Sequence, residues 1–245
     1  MPRSKWFASI LASTLVLTAS VVASAKLQDR SALRAKMESL RAQVQAKEQV
    51  LLAPSPEDVA AFAALLTQPD TGMARLMPRE TYDGKLLTRG GGSYYSFARR
   101  SSEFGLGSDI GLEQGQLRVG FSGADFGFLT TLGDLAIDSV SLDQPGVSLL
   151  AAFNAPTTEP EAREQARLAG TGFVAGGFTY RSFLPAVLNT TYVVRSINYR
   201  SSDLLVAFRV TRQDADGSLT LAWKKLRAFP VPQLGQQQEG GGDQR

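Results

Sequence analysis

Residues 203–228 read DLLVAFRVTRQDADGSLTLAWKKLRA and contain two alternating apolar rows joined by a polar turn. The first row consists of Leu204, Val206, Phe208 and Val210, and the second of Leu219, Leu221 and Trp223. Because successive side chains of a strand point to opposite faces, each row covers one face of its strand. The turn over 214–217 (DADG) is typical of a hairpin connection. With a further strand predicted over 190–200, the stretch predicts an antiparallel meander with one buried face.

Short apolar and β-branched runs separated by glycine-rich turns also precede the meander. They predict strands over 82–88, 93–99, 107–113, 116–121, 126–131, 135–142, 146–153 and 172–180. One helix interrupts them, because Pro160 fits a first helical position, EAREQARLA is a strong helix former and Gly170 ends it. The pattern predicts a mainly β fold, an antiparallel sandwich or a partly open barrel, with two N-terminal helices and one inserted helix.

The first N-terminal helix is predicted over residues 26–52, which contain no Gly and no Pro before Ala53. Its apolar positions follow heptad spacing and are Leu33, Met37, Leu40, Val44 and Leu51. Lys47 stands where a further apolar residue would complete the row. Two interpretations remain open: an amphipathic helix that packs on its own domain or floats free, and a seam through which copies of the chain associate.

The second N-terminal helix is predicted to begin after Ser55 and to run to about Thr67. Ser55 and Asp58 form a capping-box-like pair, and Pro56 fits the first helical position. Residues 71–81, which contain Gly72 and Pro78, predict a short helical turn and a loop.

The N-terminus has the three parts of a secretory signal peptide. Arg3 and Lys5 precede an apolar run over residues 8–22, and the A-x-A sequence at 23–25 is a cleavage site. The alternative is an uncleaved anchor, but Ser and Thr interrupt the run, which is shorter than the ~20 apolar residues that span a bilayer. We therefore predict a signal peptide over 1–25 and a secreted or periplasmic protein with no membrane span after cleavage.

The mature chain then has three predicted parts. These are the heptad-like helix over 26–52, a β-rich globular domain with its leading helix over 55–230, and a disordered tail over 231–245 that is rich in Gly and Gln.

The chain contains no cysteine and no histidine, which excludes several classes of enzyme. A Ser-His-Asp or Cys-His nucleophile system is excluded, as is a zinc site with imidazole or thiolate ligands. No cofactor and no metal are expected. Without residues 1–25 the basic and acidic residues nearly balance, so no nucleic-acid partner is expected.

Residues 89–115 (RGGGSYYSFARRSSEFGLGSDIGLEQG) combine glycines with aromatic and acidic side chains. Gly105, Gly107 and Gly111 lack the spacing of a dinucleotide fingerprint, and the residues after Gly111 alternate like a strand. The stretch therefore predicts two strands with glycine-permitted turns. If a ligand site exists here, its candidate residues are Tyr95, Asp109, Glu113 and Asp125, because carboxylates beside aromatic rings suit a sugar.

These observations favour an exported, non-catalytic β-rich protein of the cell envelope or extracellular space with a binding or assembly role. The alternative is a carboxylate-dependent glycan hydrolase, which would hold two carboxylates about 5–10 Å apart in an open cleft. The expected partner is a protein or a glycan, or a second copy of the chain through residues 26–52. No residue is assigned a catalytic role.

Overall fold

The computed structural model describes residues 6–81, 91–102 and 107–235, with side chains from residue 29 onward. The chain divides into two compact units, residues 1–51 and residues 52–245.

The first unit contains one long helix, α1 (Trp6–Leu51). No Gly or Pro interrupts this stretch, so every residue within it is compatible with a continuous helical backbone. The helix predicted over 26–52 is present as the C-terminal part of α1.

The second unit contains four α-helices that lie wholly within the described residues, a helical turn that begins at Arg79, two 3-10 helices (Gly91–Ser93 and Ile137–Ser139) and eleven strands. The helices are α2 (Pro56–Ala61), α3 (Ala63–Leu66), α4 (Ser148–Ala152) and α5 (Glu159–Thr171). The strands are β1 (Thr71–Leu76), β2 (Tyr94–Tyr95), β3 (Ile110–Glu113), β4 (Gln116–Arg118), β5 (Phe126–Gly133), β6 (Phe173–Ala175), β7 (Phe178–Tyr180), β8 (Phe183–Pro185), β9 (Thr191–Asn198), β10 (Ser202–Gln213) and β11 (Leu219–Ala228).

The strands form three antiparallel sheets, so the unit is mainly β as predicted. The largest sheet has the order β1-β11-β10-β9-β5 and contains the predicted meander as its three adjacent strands β9, β10 and β11. Phe208 pairs with Trp223 across β10 and β11, so the two apolar rows face the same side. The other sheets have the orders β2-β3-β4-β8 and β6-β7.

The meander is buried on both faces, whereas the sequence predicts one buried face. Val206, Phe208 and Trp223 belong to a core cluster that also contains Ile110 and Leu117 of the four-stranded sheet. Leu205 and Ala207, which alternate with them along β10, belong to a second cluster on the other face. That cluster also contains Leu150 of α4 and Ala162 and Ala169 of α5. Both faces are covered because the intervening positions of β10 are themselves apolar.

The two larger sheets are joined by hydrogen bonds at two corners. Leu129 of β5 exchanges backbone hydrogen bonds with Arg181, which lies next to β8. At the opposite corner, the Met77 N–H donates to the Gly92 carbonyl, which connects the end of β1 to the residues before β2. The sheets enclose one core cluster between them. These links are isolated and do not continue as paired strands, so the sheets stay separate and do not form a closed barrel.

Several predicted elements are wrong. Residues 71–76 form strand β1, which pairs with β11, and the helical turn predicted within 71–81 begins only at Arg79. Residues 137–139 form a 3-10 helix and residues 148–152 form α4, where strands were predicted over 135–142 and 146–153. The short strand β8 was not predicted. The strand predicted over 82–88 lies outside the described residues.

The cap of the second helix and the inserted helix match their predictions, whereas the second helix itself is divided in two. The side chain of Ser55 accepts a hydrogen bond from the Asp58 N–H at the start of α2, as a capping residue does. The second helix is interrupted at Phe62, so it forms two short pieces, α2 and α3. The inserted helix predicted from Pro160 is α5.

Residues 229–235, of which 231–235 fall in the predicted disordered tail, are hydrogen bonded to the β-rich unit. The Phe229 N–H donates to the Asp203 carbonyl, the Arg200 N–H to the Pro232 carbonyl, and the Gly235 N–H to the Thr157 carbonyl. Phe229 and Leu234 also pack against the second core cluster, so both backbone and side-chain contacts hold this segment. Residues 236–245 lie outside the described residues.

Candidate functional site

The stretch over 89–115 leads into strands and not into a nucleotide-binding helix. Gly107 has a φ of +92°, and a Cβ there would lie 2.5 Å from the Ser201 hydroxyl oxygen. A turn that needs this conformation and this close approach requires glycine. Gly111 lies within β3 and pairs with Tyr94 of β2. Tyr94 and Phe97 are buried; Glu103 and Phe104 lie outside the described residues.

Tyr95 lies in the core and not on a surface. Its ring packs edge-on against Phe97 and lies 6.3 Å from the ring of Trp223. Burial raises the pKa of Tyr95 to about 12. The phenol therefore stays protonated at physiological pH and is not accessible to a solvent-borne ligand.

Asp109 is completely buried and accepts four hydrogen bonds from four different residues. Its Oδ1 atom accepts from the Ser196 hydroxyl at 2.8 Å and from the Asn198 amide at 2.9 Å. Its Oδ2 atom accepts from the Ser96 hydroxyl at 3.2 Å and from the Phe97 N–H at 2.7 Å. Burial raises the pKa of Asp109, and these hydrogen bonds oppose that rise. The carboxyl group thus connects the four-stranded sheet to β9 and offers no atom to a substrate.

Glu113 and Asp125 lie in two further environments. Glu113, at the end of β3, forms ion pairs with Arg79 at 3.0 Å and Arg118 at 3.5 Å. Asp125, just before β5, accepts a hydrogen bond from the Tyr199 N–H at 2.8 Å. Burial raises the pKa of Asp125 as well. Each carboxylate stabilises the strand end or loop next to it through these contacts.

Of the four candidate residues, the structure joins only Tyr95 and Asp109, through a backbone hydrogen bond from the Asp109 N–H to the Tyr95 carbonyl. The three carboxylates bond to different partners, and the carboxylate of Asp109 has no exposed surface. This geometry does not favour a glycan hydrolase at these residues, because that chemistry needs two accessible carboxylates in one cleft.

A buried ion pair is the main polar feature that sequence reasoning missed. Arg195 of β9 and Asp203 of β10 are 1% and 3% exposed, and two parallel hydrogen bonds join them. Arg195 also donates to the Leu150 carbonyl, and its guanidinium stacks on the Phe229 ring. Burial raises the pKa of Asp203, and Arg195 opposes the rise. The sequence signal is an arginine that directly follows the apolar residues Tyr192, Val193 and Val194 of β9.

The described residues of the β-rich unit line grooves, which include the following two. One, of about 460 Å³, is lined by residues that include Phe62, Leu65, Asp138 and Arg209. The other, of about 350 Å³, lies between residues 153–157 and residues 229–233, and the buried ion pair forms part of its lining. None of the four candidate residues lines either groove.

In the part of the chain that the structure describes, no three acidic side chains gather as a metal site would require. No helix within that part has the length and apolar character to cross a membrane. Comparisons with protein-family models, with curated proteins and with solved structures give no match to this chain.

Proposed function

We propose that the chain is an exported, non-catalytic protein of the cell envelope or extracellular space, and that copies of it assemble through the helix over 26–52. In this proposal the two larger sheets form a sandwich that serves as a stable module, and α1 provides the contact between modules.

The exposed apolar row of α1 carries the proposal. Leu33, Met37, Leu40 and Val44 are between 45% and 58% exposed, although they lie on one face of the helix. An apolar row at heptad spacing in water is unfavourable, and burying it against a matching row is the usual way in which such a helix is stabilised. A second copy of the chain supplies that matching row.

Export is supported by the order of the N-terminal residues. A positive segment, an apolar run of limited length and a small-residue cleavage site follow one another, as they do in signal peptides. The absence of cysteine means that folding after export requires no disulfide formation.

The first test is the mass of the exported protein. When the full sequence is expressed in a secreting host, we expect protein from the medium or envelope fraction to begin at Lys26, because cleavage follows Ala25. Intact-mass spectrometry measures this directly. Retention of Met1 in the exported pool would contradict the export proposal and leave the assembly proposal intact.

The second test places a charge in the apolar row of the exported protein. We expect Leu40→Glu to raise the dissociation constant of the assembly about 100-fold or more. Each copy loses a buried leucine, and burial of a leucine contributes ~1.5–3 kcal/mol. Size-exclusion chromatography with light scattering over a concentration series measures the change.

Ala42→Glu is the matched control, since residue 42 lies two positions further along α1, on the opposite side of the helix. It introduces the same charge into the same helix and should leave the assembly unchanged. A wild-type protein that remains monomeric at every concentration would rule out assembly through α1.

A further inference from the structure

We infer that two copies pair through α1 in the antiparallel orientation, with Leu33 of one helix beside Leu51 of the other. This inference rests on the self-association proposed above and specifies the partner and its direction.

The heptad row of α1, which consists of the apolar row and Lys47, has six positions at alternating spacings of four and three residues. In chain order they are Leu33, Met37, Leu40, Val44, Lys47 and Leu51. Because α1 is continuous to Leu51, all six lie along one side of a single helix. The orientation of the pair therefore depends on where Lys47 and the flanking charges meet their counterparts.

A parallel pair brings like charges together at several places. In-register packing places the two Lys47 ammonium groups opposite each other in the seam. The flanking positions then place Lys36 of each helix beside Arg41 of the other, since these sites pair five residues apart in parallel coiled coils. Like charges so placed are unfavourable, and only the two contacts between Asp29 and Arg34 compensate.

An antiparallel pair avoids most of these contacts. The register that uses all six positions places Leu40 against Val44, Lys47 against Met37, and Leu33 against Leu51. Lys47 then lays its aliphatic stem along Met37 and extends its ammonium group into water. Arg34 of each helix lies near Glu48 of the other, and one like-charge contact remains, between the two Arg41 side chains. Charge complementarity therefore favours the antiparallel pair.

Single cysteines test the orientation cleanly, because the native chain contains none. Leu33→Cys and Leu51→Cys variants of the exported protein are each oxidised alone and then as an equimolar mixture. In the antiparallel pair, residues 33 and 51 of different copies are neighbours, whereas identical residues are about 27 Å apart at 1.5 Å per residue. We therefore expect a disulfide-linked dimer in the mixture and little in either variant alone.

The outcomes separate this inference from the one on which it depends. Efficient cross-linking of each variant alone, with a dimer seen by light scattering, would overturn the antiparallel orientation and preserve self-association. A monomer by light scattering with no cross-link in any sample would overturn both.

A charge exchange provides an independent readout. Arg34→Glu should weaken an antiparallel pair by about tenfold in dissociation constant, because two attractive contacts become repulsive. Adding Glu48→Arg should restore the affinity. In a parallel pair Arg34 faces Asp29, so failure of the second change to restore affinity would count against the antiparallel pair.

Discussion

Replacing Trp223 with alanine is expected to lower the free energy of unfolding by about 3–5 kcal/mol. The Trp223 side chain is 1% exposed and lies between the two larger sheets. Its ring packs against Phe97 at 5.5 Å, and the Arg100 guanidinium lies over it at 5.5 Å. Alanine would leave a large cavity that rigid neighbouring strands cannot close. Chemical denaturation followed by far-ultraviolet circular dichroism measures the loss.

Two further variants make the test specific. Gly72→Ala should also destabilise the protein, because a Cβ at Gly72 would lie 2.5 Å from the Trp223 ring across β1 and β11. Leu188→Ala removes an exposed apolar side chain and should have little effect. A Trp223→Ala variant with wild-type stability would mean that the register of β11 is wrong.

The meander was predictable because its period is unambiguous. In residues 203–228 the large apolar side chains Val206, Phe208 and Val210, and then Leu219, Leu221 and Trp223, recur at every second position, and no helical arrangement places such rows on one face. The structure pairs the two rows, with Phe208 opposite Trp223. Residues 146–153 contain a short apolar run with no clear period. Such a run is compatible with a strand or a helix. Here the packing of Leu150 in the second core cluster stabilises the helix α4.

Strand β1 was not predictable from its own residues. Gly72 and the nearby Pro78 indicate a turn, yet glycine is needed because the Trp223 ring occupies the space where a side chain would lie. The side chain that requires glycine at position 72 is thus Trp223, on another strand and about 150 positions away in the chain. A single sequence contains no sign of that contact.

The candidate site residues show the same limit. Asp109 was chosen for its nearness in sequence to aromatic residues, but its hydrogen-bond partners Ser196 and Asn198 are 87 and 89 residues away. Sequence reasoning identified a carboxylate that matters for the fold. It had no means to show that the carboxylate is enclosed, because enclosure depends on how β3 approaches β9.

Replacing Arg195 with methionine is expected to cost about 3–5 kcal/mol at neutral pH, since it leaves the Asp203 carboxylate buried without its counter-ion. Arg195 donates two hydrogen bonds to Asp203 and one to the Leu150 carbonyl, so three bonds disappear together. Urea denaturation at a series of pH values measures the cost. Arg163→Met is the matched control, because it breaks an exposed ion pair with Glu159 on α5. It should leave the free energy of unfolding nearly unchanged.

The pH dependence distinguishes the loss of a charge partner from a simple packing defect. Burial already raises the pKa of Asp203, and removal of Arg195 takes away the interaction that opposes the rise. A raised pKa in the folded state means that the folded protein holds its proton more tightly, so stability falls as pH rises above the unfolded value of about 3.9. The free energy of unfolding of the Arg195→Met variant should therefore differ least from that of the wild type at acidic pH and most at neutral pH.

The double variant Arg195→Met/Asp203→Leu should lose less free energy of unfolding than the two single changes summed, because no buried charge remains. A deficit that stays constant between pH 5 and pH 8, with additive single changes, would show that Arg195 contributes through packing against Phe229 and not through its charge.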